Sequence, residues 1–252
     1  MPTLPFALQL YTVRDHMEKD PIATLREVKA AGYDSVELAG LAGHSAAQFK
    51  AILDDIGLTP SSAHIGYEEL VGDIDQAIAD CKALGITYAV VPWVGAEMCP
   101  DKAAWCTAIS QMDKAGAQLR AEGIRLCYHN HDHEFESLDG DVIFDLIFQN
   151  SAPENLAAEL DTCWVTIGGA DPVAILRDFG ARCPLLHVKD YTPGDPFRFA
   201  EVGRGCMQWD AIFAAAQEIG VAWYVVEQDD HFATGSLDSA RISAAYMAAR
   251  QG

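Results

Sequence analysis

Short apolar segments alternate with longer amphipathic segments eight times along this chain of 252 residues. The short segments have the length of buried strands, and the long ones have residues typical of helix boundaries. Before the first helix, for example, Asp20 can act as a cap and Pro21 suits the first turn, while Gly32 follows the helix end. The expected strands span residues 6–13, 35–39, 59–63, 88–91, 126–128 and onward, 156–160, 185–188 and 223–228. The expected helices span residues 21–31, 45–56, 73–84, 102–122, 142–149, 172–179, 209–219 and 236–250.

Strands that alternate with helices form parallel sheets of βαβ units. Eight such units in about 250 residues are typical of a closed (β/α)8 TIM barrel. The composition is 50% hydrophobic, and no linker or low-complexity run interrupts the chain, so one α/β domain over residues 1–252 is expected. A doubly wound open sheet is the alternative. It is disfavoured because no GxGxxG follows the first strand and the eighth strand would need a free edge.

The formal net charge of -20 disfavours two classes of partner. Nucleic-acid binding depends on Lys and Arg against phosphate, and anionic membrane surfaces repel an acidic protein. No apolar run approaches the about 18 residues of a membrane span, and the N-terminal stretch has no basic region typical of a secretory signal. The 7 cysteines are dispersed without a CxxC pair, which indicates reduced thiols. We therefore expect a cytoplasmic protein with a small-molecule substrate, and homo-oligomerisation is left open.

The segment from Arg125 to Glu136, RLCYHNHDHEFE, has the densest concentration of chemically active side chains. Three of the chain's 8 histidines fall within five consecutive residues there. Neutral imidazole can ligate a metal, and its pKa lies near physiological pH. Because alternate residues of a strand share a face, His129 and His131 are expected to point the same way. The alternative is a polar loop with solvated histidines.

Polar side chains also end nearly every other predicted strand. In a barrel of this type the active site lies at the carboxyl ends of the strands. Convergence from separate strands is stronger evidence for a site than any single local motif. The side chains in these positions are Gln9, Tyr11, Glu37, His64, Trp93, His129, His131, Asp161, His187, Lys189 and Glu227.

Within this set, Asp161, His187 and Glu227 are the strongest candidates for a common site, because each follows a run of mainly apolar strand residues. Two carboxylates and an imidazole make a mixed oxygen and nitrogen ligand set that suits a divalent ion such as Mn²⁺. Burial favours a metal too, since clustered carboxylates are costly to desolvate. The alternatives are a structural salt bridge for the two carboxylates and a core histidine bonded to the backbone for His187.

Further positions are expected to hold a sugar. Lys189 shares the inward face with His187 and can hold a sugar oxygen or stabilise an enolate; the alternative is a salt bridge with Glu37 or another carboxylate. Trp93 and Trp164 can stack on a sugar ring or pack under a loop. Arg204 lies between glycines in Glu201–Trp209, which either bends back over the barrel mouth or merely connects a strand to a helix. The expected substrate-binding residues are Gln9, Glu37, His64, Trp93, Trp164 and Arg204.

At these positions the chain resembles the sugar phosphate isomerase/epimerase family, which has a xylose-isomerase-like barrel. The resemblance covers essentially the whole chain and is specific to the superfamily but not to a substrate. The matching segments are LQLYTVRD (8–15), SVELAG (35–40), YHNHDHEF (128–135), ELDTCW (159–164), HVKD (187–190), VGRG (202–205) and VEQD (226–229).

The resemblance implies one divalent metal, usually manganese, with Zn, Co and Mg as alternatives. Its ligands in the family are a Glu, an Asp, a His and a second Glu from strands five to eight. Asp161, His187 and Glu227 match the last three, but His129 occupies the first position. This departure resembles the inosose dehydratase and 3-keto-sugar-processing branches. Either His129 itself ligates the metal, or Glu134 turns back to supply the missing carboxylate.

The resemblance implies metal-dependent chemistry next to the carbonyl of a keto-sugar or keto-inositol. In this hypothesis His131, Glu134 or Glu227 removes a proton, Lys189 assists, and an enediolate leads to isomerisation, epimerisation or dehydration. The superfamily's DNA-repair endonuclease branch is a poor match, because the chain is acidic. A non-catalytic sugar-binding barrel is the other alternative, and the missing Glu on strand five is its only support.

Overall fold

Eight parallel strands form the wall of a closed barrel in the computed structural model, which describes residues 5–194, 196–230 and 235–250. Each strand is hydrogen-bonded to its neighbours in chain order, and the last pairs with the first, as in the register of Leu8 with Val226. The barrel strands are β1 (Phe6–Gln9), β2 (Ser35–Ala39), β3 (Thr59–His64), β4 (Tyr88–Val91), β5 (Arg125–His129), β6 (Leu156–Asp161), β7 (Leu185–Val188) and β8 (Trp223–Val226).

Helices surround the barrel and begin where the capping residues predict. The side chain of Asp20 accepts a hydrogen bond from the amide of Ala23, and Gly57 ends another helix in the left-handed conformation at φ +80°. The α-helices are α1 (Arg14–Met17), α2 (Pro21–Ala30), α3 (Ala46–Ile56), α4 (Tyr67–Gly72), α5 (Ile74–Leu84), α6 (Lys102–Ala121), α7 (Ile143–Gln149), α8 (Thr162–Ile167), α9 (Pro172–Phe179), α10 (Trp209–Ile219) and α11 (Ser236–Ala249).

The predicted (β/α)8 fold is confirmed, and the departures lie at the carboxyl ends of the strands. The first strand was expected to reach residue 13 but ends at Gln9, because the Gln9 side chain accepts from the amide of Tyr11 and starts a 3-10 helix over Leu10–Val13. The short helices α1, α4 and α8 were not predicted. Two small antiparallel hairpins, Ser137–Leu138 with Asp141–Val142 and Asp190–Thr192 with Arg198–Ala200, were also missed.

The barrel interior is layered from apolar to polar. Val90, Cys127, Ala157 and Leu185 form a small buried cluster inside the wall. Two residues further along three of these strands come His129, Glu159 and His187, all buried. Because side chains two apart share a face, each strand thus changes from an apolar to a polar inward residue as it approaches the carboxyl end.

None of the helices in the described ranges is long and apolar enough to cross a bilayer. Residues 1–4, which belong to the N-terminal stretch expected to lack a secretory signal, lie outside the described residues.

Candidate active site

The four side chains expected to hold a metal come together at the carboxyl end of the barrel. His129, Asp161, His187 and Glu227 each offer one ligand atom, and these atoms lie within 4.8 Å of one another. His129 ends β5, Asp161 ends β6, His187 lies in β7, and Glu227 directly follows β8. All four are buried, so their polar groups lie close to one another and largely out of contact with solvent.

His187 lies at the centre of this group and is enclosed by carboxylates. Its Nδ1 lies 2.9 Å from Oε2 of Glu227, and its Nε2 lies 2.8 Å from Oε1 of Glu37 and 3.1 Å from Oε2 of Glu159. Burial lowers the pKa of His187, but the three carboxylates outweigh burial and raise it well above its ordinary value. The alternative of a core histidine bonded to the backbone is therefore wrong, since carboxylates contact both ring nitrogens.

A second set of possible ligands overlaps the first. His64, His129, Glu159 and His187 also place one ligand atom each within 4.8 Å of one another. Glu159 lies within one of the segments that match the family, but the sequence predicted no role for it. Its signal was its position two residues before Asp161, which puts both carboxylates on the inward face of β6.

Glu37 and Gln9 lie within the barrel and have no exposed surface. Nε2 of Gln9 donates to Oε1 of Glu37 at 2.7 Å, and the hydroxyl of Ser62 donates to Oε2. Burial raises the pKa of Glu37, but His64 and His187 outweigh burial and lower it well below its ordinary range. Both residues were expected to bind substrate; the structure instead makes Glu37 a partner of the two imidazoles.

Lys189 is buried among three carboxylates. Its Nζ lies 3.1 Å from Asp161, 2.9 Å from Glu227 and 2.9 Å from Asp229. Burial lowers the pKa of Lys189, but these carboxylates raise it well above its ordinary value, so the side chain is a cation. Of the alternatives, the structure favours salt bridges, although the partners are not Glu37.

The donor set fits a divalent cation. Oε1 of Glu159 is buried without a hydrogen-bond partner, and Nδ1 of His129 lacks a well-directed hydrogen bond although Oε2 of Glu159 lies 3.3 Å away. Oδ2 of Asp161 also lacks a well-directed hydrogen bond, although Lys189 Nζ lies 3.1 Å away. Buried polar atoms without partners are costly, and a cation that accepts their lone pairs removes that cost. Imidazole nitrogens and carboxylate oxygens together suit Mn²⁺ or Zn²⁺.

A cavity of about 600 Å³ opens beside this group. His129 and Glu227 line it, as do the predicted substrate-binding residues His64 and Trp93. Burial lowers the pKa of His64, but the adjacent Glu37 and Glu159 outweigh burial and raise it to about 10. The remaining lining residues are Tyr11, Ala39, Gly40, Gly66, Glu69, Pro92, His131 and Asp229.

His131 and Glu134 have different surroundings although only two residues separate them. His131 lines the cavity, with its ring centroid 4.7 Å from that of Trp93, and burial lowers its pKa to about 3. Glu134 is fully buried; its Oε1 accepts from the Tyr128 hydroxyl at 2.6 Å and its Oε2 from the His131 amide at 2.7 Å. The alternative in which Glu134 turns back to supply the missing carboxylate is not supported, because Glu134 lies with His131 and His133, and the carboxylate beside His129 is Glu159, at 3.3 Å.

Trp164 and Arg204 do not line the cavity. The ring of Trp164 packs against Phe199, so of the alternatives the structure favours packing under a loop. Arg204 is exposed and lies 3.8 Å from Glu201. The segment around it connects β7 to α10, which is the second of the two alternatives for Glu201–Trp209.

Asp190, for which the sequence predicted no role, organises that connecting segment. Its buried carboxylate accepts hydrogen bonds from the amides of Gly203, Gly205 and Met207, and from Nε1 of Trp209. A Cβ atom at Gly205 would lie 2.0 Å from Oδ1 of Asp190, so the close approach requires glycine.

Residues 25–249 match the family model described as the xylose isomerase-like TIM barrel. The chain belongs to this family. A similar curated protein is the inosose dehydratase of Geobacillus kaustophilus, which is 23% identical over 85% of this chain and 81% of its own.

Solved structures of the same fold include enzymes that act on sugars. A sugar phosphate isomerase/epimerase from Parabacteroides distasonis superposes with a TM-score of 0.84, at 24% identity and 96% coverage of both chains. A protein named IolI, whose structure holds a zinc atom, superposes with a TM-score of 0.74, at 14% identity and 99% coverage of both chains. The proteins similar to this chain thus include an inosose dehydratase and a sugar phosphate isomerase/epimerase.

Proposed function

We propose that this protein is a metal-dependent isomerase, epimerase or dehydratase that acts next to the carbonyl of a keto-sugar or keto-inositol through an enediolate. The observation that carries the proposal is the convergence of His129, Asp161, His187 and Glu227 at a cavity large enough for a sugar. The inosose dehydratase and the sugar isomerase/epimerase among the similar proteins support the same chemistry.

The four converging residues are the proposed metal ligands. A divalent ion held there supplies Lewis acidity to a carbonyl or hydroxyl oxygen of the substrate. Manganese suits the mixed ligand set, and the zinc in IolI makes zinc the first alternative, followed by cobalt and magnesium.

His131 is the proposed proton acceptor. It lines the cavity next to His129, with ring centroids 4.9 Å apart, and its low pKa keeps it unprotonated at neutral pH. A base with a low pKa removes a proton only from an acidified carbon, such as one next to a polarised carbonyl. Glu227, which also lines the cavity, is the second candidate, and we assign Glu134 the role of positioning His131 through its amide.

His64, whose ring centroid lies 5.4 Å from that of His129, is the proposed proton donor. The Glu37 and Glu159 carboxylates hold it protonated, and it lines the same cavity. An imidazolium can hydrogen-bond to an oxygen of the enediolate or protonate a departing hydroxyl. Return of the proton to the other face gives an epimer, return to the neighbouring carbon gives an isomer, and loss of a β-hydroxyl gives dehydration.

Isotope exchange tests the proposal whichever of these products forms, because all three routes begin with the same deprotonation. The metal-loaded protein is incubated in D₂O with a panel of 3-keto-glucosides, ketohexoses and inososes, and hydrogen next to the carbonyl is followed by NMR. We expect catalysed exchange on at least one compound. Binding of metal and sugar without exchange across the panel would contradict the proposal and favour the non-catalytic sugar-binding barrel.

A further inference from the structure

Two exposed aromatic rings border the same cavity. Among the described residues, the exposed large hydrophobic side chains are Tyr11, Ile22 and Trp93, with 45%, 38% and 42% of their surface exposed. Tyr11 and Trp93 both line the 600 Å³ cavity, whereas Ile22 lines neither that cavity nor the one beside it. Exposed aromatic surface is costly in water, and its concentration at one cavity indicates a ligand that covers it.

Both rings are held in place by their neighbours. The guanidinium of Arg14 lies 4.1 Å from the Tyr11 ring centroid and donates to the carbonyl oxygens of Tyr11 and Asp229. Nε1 of Trp93 donates to Glu97 at 3.0 Å, and its ring packs against His133 at 4.5 Å between centroids. A rigid aromatic platform loses little conformational entropy when a ligand binds.

Tyr11 also lines a second cavity, of about 310 Å³, next to the first. Tyr11, Ala39 and Gly40 line both cavities, so the two adjoin along the end of β1 and β2. Pockets that hold small ligands measure roughly 300–1,000 Å³. The first cavity alone lies within that range, and the two together have room for a ligand larger than one sugar ring.

Polar groups near Tyr11 suit sugar hydroxyls. Arg14 and Glu18 line the second cavity, and Glu69 and Asp229 line the first. Carboxylates accept hydrogen bonds from hydroxyls, and sugar C–H faces stack on aromatic rings. Three of these four polar residues are carboxylates, which disfavours a phosphorylated or otherwise anionic second group.

We propose that Tyr11 forms a second sugar subsite and that the substrate is therefore a neutral glycoside. The reacting ring lies between Trp93 and the residues His129 and Glu227, and the second ring stacks on Tyr11. The placement of the reacting ring rests on the proposed function, whereas the Tyr11 subsite is tested by binding alone.

The test compares sugar binding by the metal-loaded protein and three variants. Glucose is titrated against the disaccharides cellobiose, maltose and trehalose, which lack the keto group and do not turn over. We expect at least one disaccharide to bind about tenfold more tightly than glucose, a ratio that corresponds to about 1.4 kcal/mol. Tyr11→Ala should reduce the ratio of disaccharide to glucose affinity to about one. Tyr11→Phe should retain most of the preference because the ring remains, and Ile22→Ala should leave it unchanged.

Each outcome bears on the subsite independently of catalysis. Equal binding of glucose and all three disaccharides, no measurable disaccharide binding at millimolar concentration, or an unchanged ratio in Tyr11→Ala overturns the subsite. If keto-sugars exchange in D₂O but the ratio does not depend on Tyr11, the subsite fails and the proposed function stands. If the ratio depends on Tyr11 but no compound exchanges, the proposed function fails and the subsite stands.

Discussion

Oε1 of Glu37 lies 2.8 Å from Nε2 of His187, and neither side chain has any exposed surface. When a metal ion displaces one of its two protons, an imidazole that donates the remaining N–H to a carboxylate keeps a fixed tautomer and presents its other nitrogen as a ligand. Glu37 thereby directs Nδ1 of His187 toward Glu227, 2.9 Å away. This contact makes Glu37 a positioning residue for the proposed metal site.

Glu37→Gln is expected to weaken divalent-ion affinity by roughly 10- to 100-fold, as is typical when the partner of a ligating histidine is changed. The amide has one acceptor oxygen, whereas Ser62 and His187 contact different oxygens of Glu37. Competition with a chelator measures the affinity. Ser62→Ala leaves the His187 contact in place and should lower the metal affinity less. Equal metal affinities in the wild type, Glu37→Gln and Ser62→Ala would show that Glu37 does not position His187 for the metal.

Metal content should distinguish the two overlapping ligand sets. The purified protein is expected to hold about one divalent ion per chain, and Asp161→Asn and Glu227→Gln should each lose it because a charged ligand is removed. Glu159→Gln and His64→Gln should retain it. Elemental analysis after mild dialysis provides the measurement, and the reverse pattern would place the ion with Glu159 and His64.

His131→Ala is expected to slow the D₂O exchange by roughly a hundredfold or more, the usual effect of losing a general base. Glu134→Gln should slow it less, since Glu134 acts on His131 through the backbone amide. NMR on a substrate that turns over measures both rates. Wild-type rates in both variants would mean that the base lies elsewhere, with Glu227 as the next candidate.

Lys189→Met should destabilise the protein when no divalent ion is bound. The change leaves Asp161, Glu227 and Asp229 without their shared cation, and an unpaired buried charge typically costs about 3–5 kcal/mol of unfolding free energy. Saturating divalent ion should restore part of the loss. Denaturant unfolding with chelator and with metal tests both statements. Lys82→Met is the control, because its partner Glu122 is exposed and its loss should change stability little.

The protein is expected neither to retain nor to cleave DNA containing abasic sites at physiological salt. Its net charge of -20 repels the phosphate backbone, which supplies most non-specific affinity. Gel-shift and cleavage assays at stoichiometric protein, with manganese or zinc present, measure this. Cleavage at the abasic site would contradict this prediction and indicate an activity like that of the DNA-repair endonuclease branch.

The sequence alone was sufficient for the architecture, because the signals for strands and helices are local and periodic. The predicted bounds of β2, β4, β7, α9 and α10 agree with the structure. A closed parallel barrel gathers the carboxyl ends of all its strands at one rim. The sequence was therefore sufficient to predict that the side chains of His129, Asp161, His187 and Glu227 meet, because these residues stand at or near the ends of predicted strands.

Only the tertiary structure decided how deep each side chain lies and which neighbour it faces. Register pairs Asp161 with His187 and His129 with Glu159, and an irregularity between Val36 and Glu37 shifts β2 against β3. Such offsets arise from pairing between distant segments, so no local pattern encodes them. They place Glu37 beneath the cavity and Glu159 beside the proposed ligands. The sequence likewise does not show that Glu134 is buried with its carboxylate accepting from the Tyr128 hydroxyl, because that depends on how the loop after β5 packs.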